Sequence, residues 1–260
     1  MHLGIILPNF GTGASPDAVR AVAEAAEELG YDSVWSTEHI IVGAEAADPY
    51  GTVLEPTATL GWIAGFTERV ALGTSITLVP FHNPIWLAKA VSTLQLLSDR
   101  AVYLGVGLGW HEDEFRFMGV ELRGRGRRTD EALRLMKALW AGAREFHGDF
   151  WSFENAFFGP IAPEPPEIWI GGASDRAIRR ARELGDGWHP SRTGTSERVR
   201  EVKAQFPDLR VLPRVSGASV AEVAAKRDAL LAEGCEGIVA ALPGDAGQIV
   251  AAMRELARDR

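Results

Sequence analysis

Short apolar runs alternate along the chain with longer segments whose apolar positions recur at helical spacing, and this alternation is the dominant pattern. It predicts a parallel sheet with crossover helices. In the first unit, Leu3-Gly4-Ile5-Ile6-Leu7 reads as a strand that stops at Pro8. Ser15-Pro16-Asp17 then has the form of an N-cap with proline at the first helical position, and Val19, Val22, Ala23, Ala26 and Leu29 mark one buried face ending at Gly30. The second unit is a strand from Ser33 to Thr37, a long polar stretch from Glu38 to Glu55, and a helix from Pro56 to about Thr67. The third runs from Val70 to Leu78 and continues into a helix from Asn83-Pro84 through Leu97. The fourth strand, Ala101 to Val106, precedes a helix most clearly periodic from Thr129 to Trp140.

Between Phe146 and Pro166 the rhythm breaks. Residues of about 141–166, rich in Phe, Trp and Pro, read as an insertion with a short hairpin. The alternation then returns. Ile168-Trp169-Ile170 leads to a helix from Asp175 to Leu184, and Gly187-Trp188-His189 to one from Ser196 to Phe206. Arg210 to Val215 precedes a helix from Val220 to Ala232, and Gly237 to Ala241 precedes the last, from Asp245 to Leu256. Eight strand-helix pairs in 260 residues predict an α/β (β/α)8 TIM barrel, a single domain over 1–260 with its insertion between strands four and five. An open doubly wound sheet is the competing topology. The first turn, Pro8-Asn9-Phe10-Gly11-Thr12-Gly13, lacks the third glycine of the dinucleotide fingerprint that such a sheet carries.

Composition narrows the function classes. Lys+Arg of 27 against Asp+Glu of 35 gives a net charge of −8, with the basic residues scattered except for Arg123, Arg125, Arg127 and Arg128, so nucleic acid is not an expected partner. One cysteine, Cys235, and a start without the basic and apolar regions of a signal peptide point to the cytoplasm. Gly, Pro and charges interrupt every apolar run well short of a membrane span, so no membrane association is expected.

In a barrel, chemistry belongs at the C-terminal ends of the strands. Thr37-Glu38-His39 follows strand two, where an imidazole can pack at the rim, hydrogen-bond a cofactor or exchange a proton with substrate. Gly73-Thr74-Ser75-Ile76-Thr77 puts hydroxyl residues into an otherwise apolar strand. That is consistent with a bulge where backbone meets a flat ligand, and equally with a less buried strand face. Gly105-Val106-Gly107-Leu108-Gly109-Trp110 leaves one side of the strand end without side chains, so something planar or another backbone can lie there. Gly171-Gly172-Ala173-Ser174 runs into a helix N-terminus, an arrangement that serves an anion or only shapes a tight turn, with Ser191 and Arg192 beside it. No metal site is expected: strand one carries His2 at its wrong end in place of a His-x-His pair, and His111-Glu112-Asp113-Glu114 lacks a second histidine, its acids fitting the first turn of a helix.

In this order and spacing, these segments resemble the luciferase-like monooxygenase superfamily over almost the whole chain. The likeness lies in Gly4-Ile5-Ile6-Leu7-Pro8, Glu38-His39, Leu72-Gly73-Thr74-Ser75, Asn83-Pro84, Gly105 to Trp110 with Glu114-Phe115 and Gly119, and Gly171-Gly172 followed by Gly185-Asp186-Gly187-Trp188. The resemblance implies a homodimeric, deazaflavin-dependent oxidoreductase that uses coenzyme F420, with FMN as the alternative, acting on a small organic substrate. It implies a cis peptide at Ser75-Ile76 that backs the ring, and His39 at the reactive face. Glu38, Thr74, Ser75, Ile76, Gly107, Gly109 and Trp110 would lie around the ring or ribityl chain. Gly171, Gly172, Ala173 and Ser174 would hold the phosphate, with Ser191 and Arg192 as further ligands. Trp110 and Gly43 depart from the sugar-phosphate dehydrogenases of that branch, which argues against a sugar-phosphate substrate, and Arg100 is displaced from its usual motif. Phe10, Trp110, Phe115, Phe117 and Trp188 are expected either at an apolar mouth or in the core. Alternatives are an FMN monooxygenase, a metal-dependent barrel hydrolase and a non-catalytic flavin-binding protein.

Overall fold

The computed structural model describes residues 1–191 and 194–258. In chain order the elements are β1 (His2–Ile6), α1 (Pro16–Glu28), β2 (Ser33–Ser36), α2 (Ala47–Tyr50), α3 (Pro56–Ala64), β3 (Ala71–Thr74), β4 (Thr77–Leu78), α4 (Pro84–Ser98), β5 (Val102–Gly107) and α5 (Glu112–Phe117). There follow α6 (Arg125–Trp140), β6 (Phe146–His147), β7 (Ser152–Phe153), β8 (Glu167–Ile170), α7 (Asp175–Leu184) and β9 (Gly187–Trp188). The chain ends with α8 (Ser196–Gln205), β10 (Arg214–Ser216), α9 (Val220–Ala232), β11 (Gly237–Ala241) and α10 (Ala246–Arg258).

The main sheet is parallel throughout, in the order β10-β11-β1-β2-β3-β5-β8-β9, with β4 also paired to β5. It curls until its edges meet. Trp188 N–H donates to the Arg210 carbonyl (2.9 Å), Leu212 N–H to the Trp188 carbonyl (3.0 Å) and Arg214 N–H to the Pro190 carbonyl (2.8 Å). The apolar run from Arg210 to Val215 forms a regular ladder only from Arg214 onward, because Pro213 has no N–H to give.

Two cores result. Ile6, Trp35, Trp169, Leu212 and Val239 fill the inside of the curl, while a larger set including Leu3, Ile5, Val34, Leu72, Leu104 and Ile168 packs outward under the helices. The inner layer works because bulky rings face glycines. A Cβ on Gly73 would sit 2.5 Å from Trp35, and one on Gly187 2.3 Å from Trp169. The helix starts follow their caps: Ser15, Asn83 and Ser174 each accept an N–H of the first turn, with proline next after Ser15 and Asn83.

Several boundaries differ from the sequence reading. α3 stops at Ala64 because Arg100 takes over its end: the guanidinium donates to the Ala64 carbonyl (3.1 Å), the Val70 carbonyl (3.3 Å) and the Thr67 hydroxyl (2.8 Å). The displaced arginine therefore has a structural task. α6 begins at Arg125, ahead of its apolar periodicity. In segment 141–166, β6 and β7 pair as an antiparallel hairpin, and the Glu131 carboxylate pins it by accepting the Asp149, Phe150 and Trp151 N–H groups at 2.8 Å each. Among the described residues no helix is long and apolar enough to cross a membrane.

Candidate active site

The run from Val70 to Leu78 is broken into β3 and β4 by Ser75-Ile76, which is joined through a cis peptide. Every polar atom of Ser75 is engaged. Its N–H donates to the Ser36 carbonyl (2.8 Å), and its carbonyl accepts from the Thr37 hydroxyl (3.2 Å) and Arg214 Nη1 (3.0 Å). Its hydroxyl lies 2.8 Å from His189 Nε2. Burial pushes the His189 pKa down to about 4, against the opposing hydrogen bond to the Leu212 carbonyl. The ring is therefore neutral near pH 7. With Nδ1–H donating to Leu212, Nε2 is an acceptor and Ser75 is the donor. Trp35 stacks on the imidazole at 4.8 Å between centroids, which completes the packing behind the bulge.

The glycines of β5 serve this bulge. A Cβ on Gly105 would fall 1.9 Å from the Thr74 carbonyl oxygen, and one on Gly107 would fall 2.0 Å from the Ile76 side chain. Of the two occupants the sequence left open there, a planar group or another backbone, it is the Thr74–Ile76 segment that lies against β5. Gly109 has φ +72° and packs toward Phe115.

His39 sits at the end of β2 with its Nδ1 2.8 Å from Glu114 Oε2. Glu114 is fully buried, and its other oxygen accepts the N–H of Ile40 (2.6 Å) and Ile41 (3.4 Å). Burial alone would raise the pKa of this carboxyl, but the hydrogen bonds from His39, Ile40 and Ile41 outweigh it and hold the group below the ordinary carboxylate range. An acid fitted by sequence to the first turn of α5 is thus an inward anchor. The carboxylate accepts the Nδ1–H hydrogen bond and leaves Nε2 as the nitrogen with no partner among the described residues. Around it stand Tyr50, 4.3 Å from His39 between centroids, and Trp110, 58% exposed.

The third component is the turn into α7. Gly172 has φ +86°, and the N–H groups of Gly172, Ala173 and Ser174 have no protein acceptor among the described residues. They open onto the positive end of the helix. Ser174 also caps α7, accepting Ala177 N–H at 3.2 Å.

These components meet on one cavity of about 1200 Å³. His39, Glu38, Ser75, Ile76, Gly107, Gly109, Trp110, Gly171, Gly172, Ser174 and Ser191 line it. Glu38 turns its carboxylate to Leu78 N–H (2.6 Å) and His82 Nε2 (2.9 Å), so it braces the chain after the bulge. Burial works against a charged His82, but the Glu38 hydrogen bond and charge prevail and raise its pKa. Thr74 and Ala173 lie behind the lining, the Thr74 hydroxyl donating to the Gly105 carbonyl (2.8 Å). Arg192 lies outside the described residues. Of the five aromatics expected either at the mouth or in the core, Phe115 and Trp188 belong to the core, where they are 2% and 0% exposed.

Glu114, His189, Arg214 and Tyr50 were not legible as site residues. Each acts through partners distant in the chain, from a position without a local motif. Among the described residues no group of three His, Cys, Asp or Glu side chains is placed to hold a metal ion.

The family model described as luciferase-like monooxygenase matches residues 1–225. The chain is 33% identical over 180 residues to the F420-dependent glucose-6-phosphate dehydrogenase of Kineococcus radiotolerans, a match covering 67% of this chain and 52% of that one. Among solved structures, an F420-dependent secondary alcohol dehydrogenase in complex with an F420-acetone adduct superposes with a TM-score of 0.84 at 15% identity, covering 98% of this chain and 97% of that one. The oxygenating constituent of 3,6-diketocamphane monooxygenase from Pseudomonas putida, in complex with FMN, gives a TM-score of 0.77 at 15% identity, covering 99% and 97%. These structural likenesses establish the α/β barrel architecture. With a family match over most of its length, the chain belongs to the luciferase-like monooxygenase family.

Proposed function

We propose that the protein is an oxidoreductase that binds coenzyme F420 across the barrel mouth and uses it on a small organic substrate. The observation that carries this reading is convergence. A backbone bulge fixed at every polar atom, an imidazole with one nitrogen unpartnered among the described residues, and a helix start with free N–H groups, whose Gly172 and Ser174 are on the lining, converge on one cavity of about 1200 Å³. That volume exceeds what a small metabolite alone requires. Its chemistry fits a phosphorylated tricycle, with the flat backbone of Ser75-Ile76 against the ring and Gly172, Ala173 and Ser174 donating to the phosphate. When bound, the coenzyme supplies hydride chemistry.

The protein's own part is positioning and proton handling. Ser36, Thr37, His189 and Arg214 lock the bulge, so the ring-backing surface is formed before any ligand arrives. Glu114 fixes the His39 ring and its tautomer, which directs Nε2 at the substrate side as acceptor or, when protonated, donor. Tyr50 and Trp110 give the substrate an aromatic wall. We read segment 141–166 as an insertion in a single domain, and the working form as a homodimer in the cytoplasm.

Fluorescence titration of the purified protein with F420 and with FMN tests the reading. Saturable binding of F420 is the expected result. Binding of FMN alone overturns the cofactor assignment in favour of a flavin monooxygenase, and binding of neither overturns the function.

A further inference from the structure

The same cavity extends away from the ring-backing bulge into an arm walled by α6 and α7, and this arm is built from arginine. Arg127 and Arg134, seven residues apart, form a stripe on the exposed side of α6, and Arg123 lies in the turn just ahead of that helix. Arg176 and Arg179, three residues apart, form the matching stripe on α7. None of these five makes an ion pair or hydrogen bond to any described residue. The acids in the arm do not balance them. Asp130 is engaged by Arg180, which leaves Glu183 as the lone uncommitted carboxylate on the lining among the described residues. The Nε of Arg125 is also buried without a partner at the root of the arm.

Such an arrangement is out of character for a chain of net charge −8, in which Arg180, Arg198, Arg200 and Arg210 all sit beside carboxylates. Five unpaired guanidinium groups, four on α6 and α7 and one in the turn before α6, repel one another, and a ligand that brings several negative charges relieves that repulsion. The helix start at Gly172–Ser174 already supplies donors for one phosphate at the junction of the two arms. We infer that the arginine arm holds a polyanionic extension lying beyond that phosphate, and that its source is the cofactor's own tail. F420 continues past its phosphate into a chain of carboxylates, whereas FMN ends there. The arm therefore assigns a reason for choosing F420 over FMN, and the inference rests on the cofactor reading above.

The test compares wild type with the double variant Arg127→Gln/Arg179→Gln by calorimetry, using three probes: inorganic tripolyphosphate, F420 bearing several glutamates, and the same coenzyme with none. In wild type, tripolyphosphate binds with an affinity that falls as salt rises, and the long-tailed coenzyme binds at least about tenfold more tightly than the tailless one. In the double variant tripolyphosphate binding weakens by about tenfold or more and the tail advantage disappears, while affinity for the tailless form is retained. Tripolyphosphate binding that is absent, or equal in both proteins, overturns the arm as a polyanion site. A normal tripolyphosphate response with equal affinity for the two coenzymes overturns the tail as its source and points to a phosphorylated substrate. If neither coenzyme binds while tripolyphosphate behaves as expected, the cofactor reading fails and the polyanion site stands.

Discussion

The two arms of the cavity are made in opposite ways. At the ring end the polar groups are few, buried and mutually satisfied: Ser75 has four partners, Glu114 accepts three N–H groups, and His189 is kept neutral between Ser75 and Leu212. At the other end the charges are many, exposed and unpaired. Preorganised hydrogen bonds in a dry wall fix position to fractions of an ångström, and solvated arginines on flexible stems supply field without fixing geometry. The difference matches the two tasks of the proposed ligand, a ring that must be aligned and a tail that need only be retained.

The largest effect that can break this comparison is catalytic. His39→Ala is expected to lower turnover by about 10²–10⁴-fold while leaving cofactor affinity within a few-fold, because a positioned proton donor contributes on that scale. Glu114→Gln keeps the shape but replaces the carboxylate that anchors the His39 ring, and should lower turnover by about tenfold, less than loss of the imidazole itself. An undiminished rate in His39→Ala removes the imidazole from the mechanism. A Glu114→Gln enzyme with undiminished turnover removes that carboxylate from the positioning of His39.

Next comes the rigidity of the ring wall. Gly105→Ala would drive a methyl group into the Thr74 carbonyl, an atom of backbone that cannot rotate away, and about 3 kcal/mol of stability should be lost along with ring binding. Gly107→Ala meets only the end of the Ile76 side chain and should cost about 1 kcal/mol. Chemical denaturation measures both. Equal costs would mean that the bulge yields more readily than its hydrogen bonds indicate.

Acid should act on the same wall. The folded-state pKa of His189 is about 4 against an ordinary 6.5, so between these values the unfolded chain binds more protons and stability falls as pH falls. The full loss below pH 4 is on the order of 3 kcal/mol. His82 runs the other way: its raised pKa adds stability that is present below pH 6.5 and fades as pH rises through the folded value. Denaturation of wild type and His189→Gln from pH 7 to 4 separates the two, since the variant should lose the acid sensitivity of the ring wall and keep that of His82.

Legibility in the sequence follows the same division. The strands and the capped helices at Ser15, Asn83 and Ser174 announce themselves through local chemistry: periodicity and a cap residue. The hydroxyls that interrupt the apolar run at 73–77 fit a bulge or a less buried strand face alike, and it is the family resemblance that points to Ser75-Ile76. Residues whose meaning comes from a distant partner do not. Glu114 reads as an ordinary first-turn acid until the fold brings it to His39, 75 positions away, and His189 gains its role from Ser75, 114 positions away. The arginine run at 123–128 was visible as a departure from scattered charge, but only the packing of α7 opposite shows that it faces a second stripe across a cavity.

The smallest effect is the most pointed, because it should have the opposite sign to all the others. Arginines held in place by the fold lose stability when removed, whereas arginines gathered for a ligand repel one another in its absence. Arg127→Gln and Arg134→Gln should therefore leave thermal stability unchanged or raise it by up to about 0.5 kcal/mol, the scale of exposed like-charge pairs on helices. Raising the salt concentration should erase even that gain, since screening relieves the same repulsion in wild type. A loss of more than about 1 kcal/mol in either variant would show that these side chains serve the fold, and the contrast between a self-satisfied ring wall and a ligand-dependent arm would collapse.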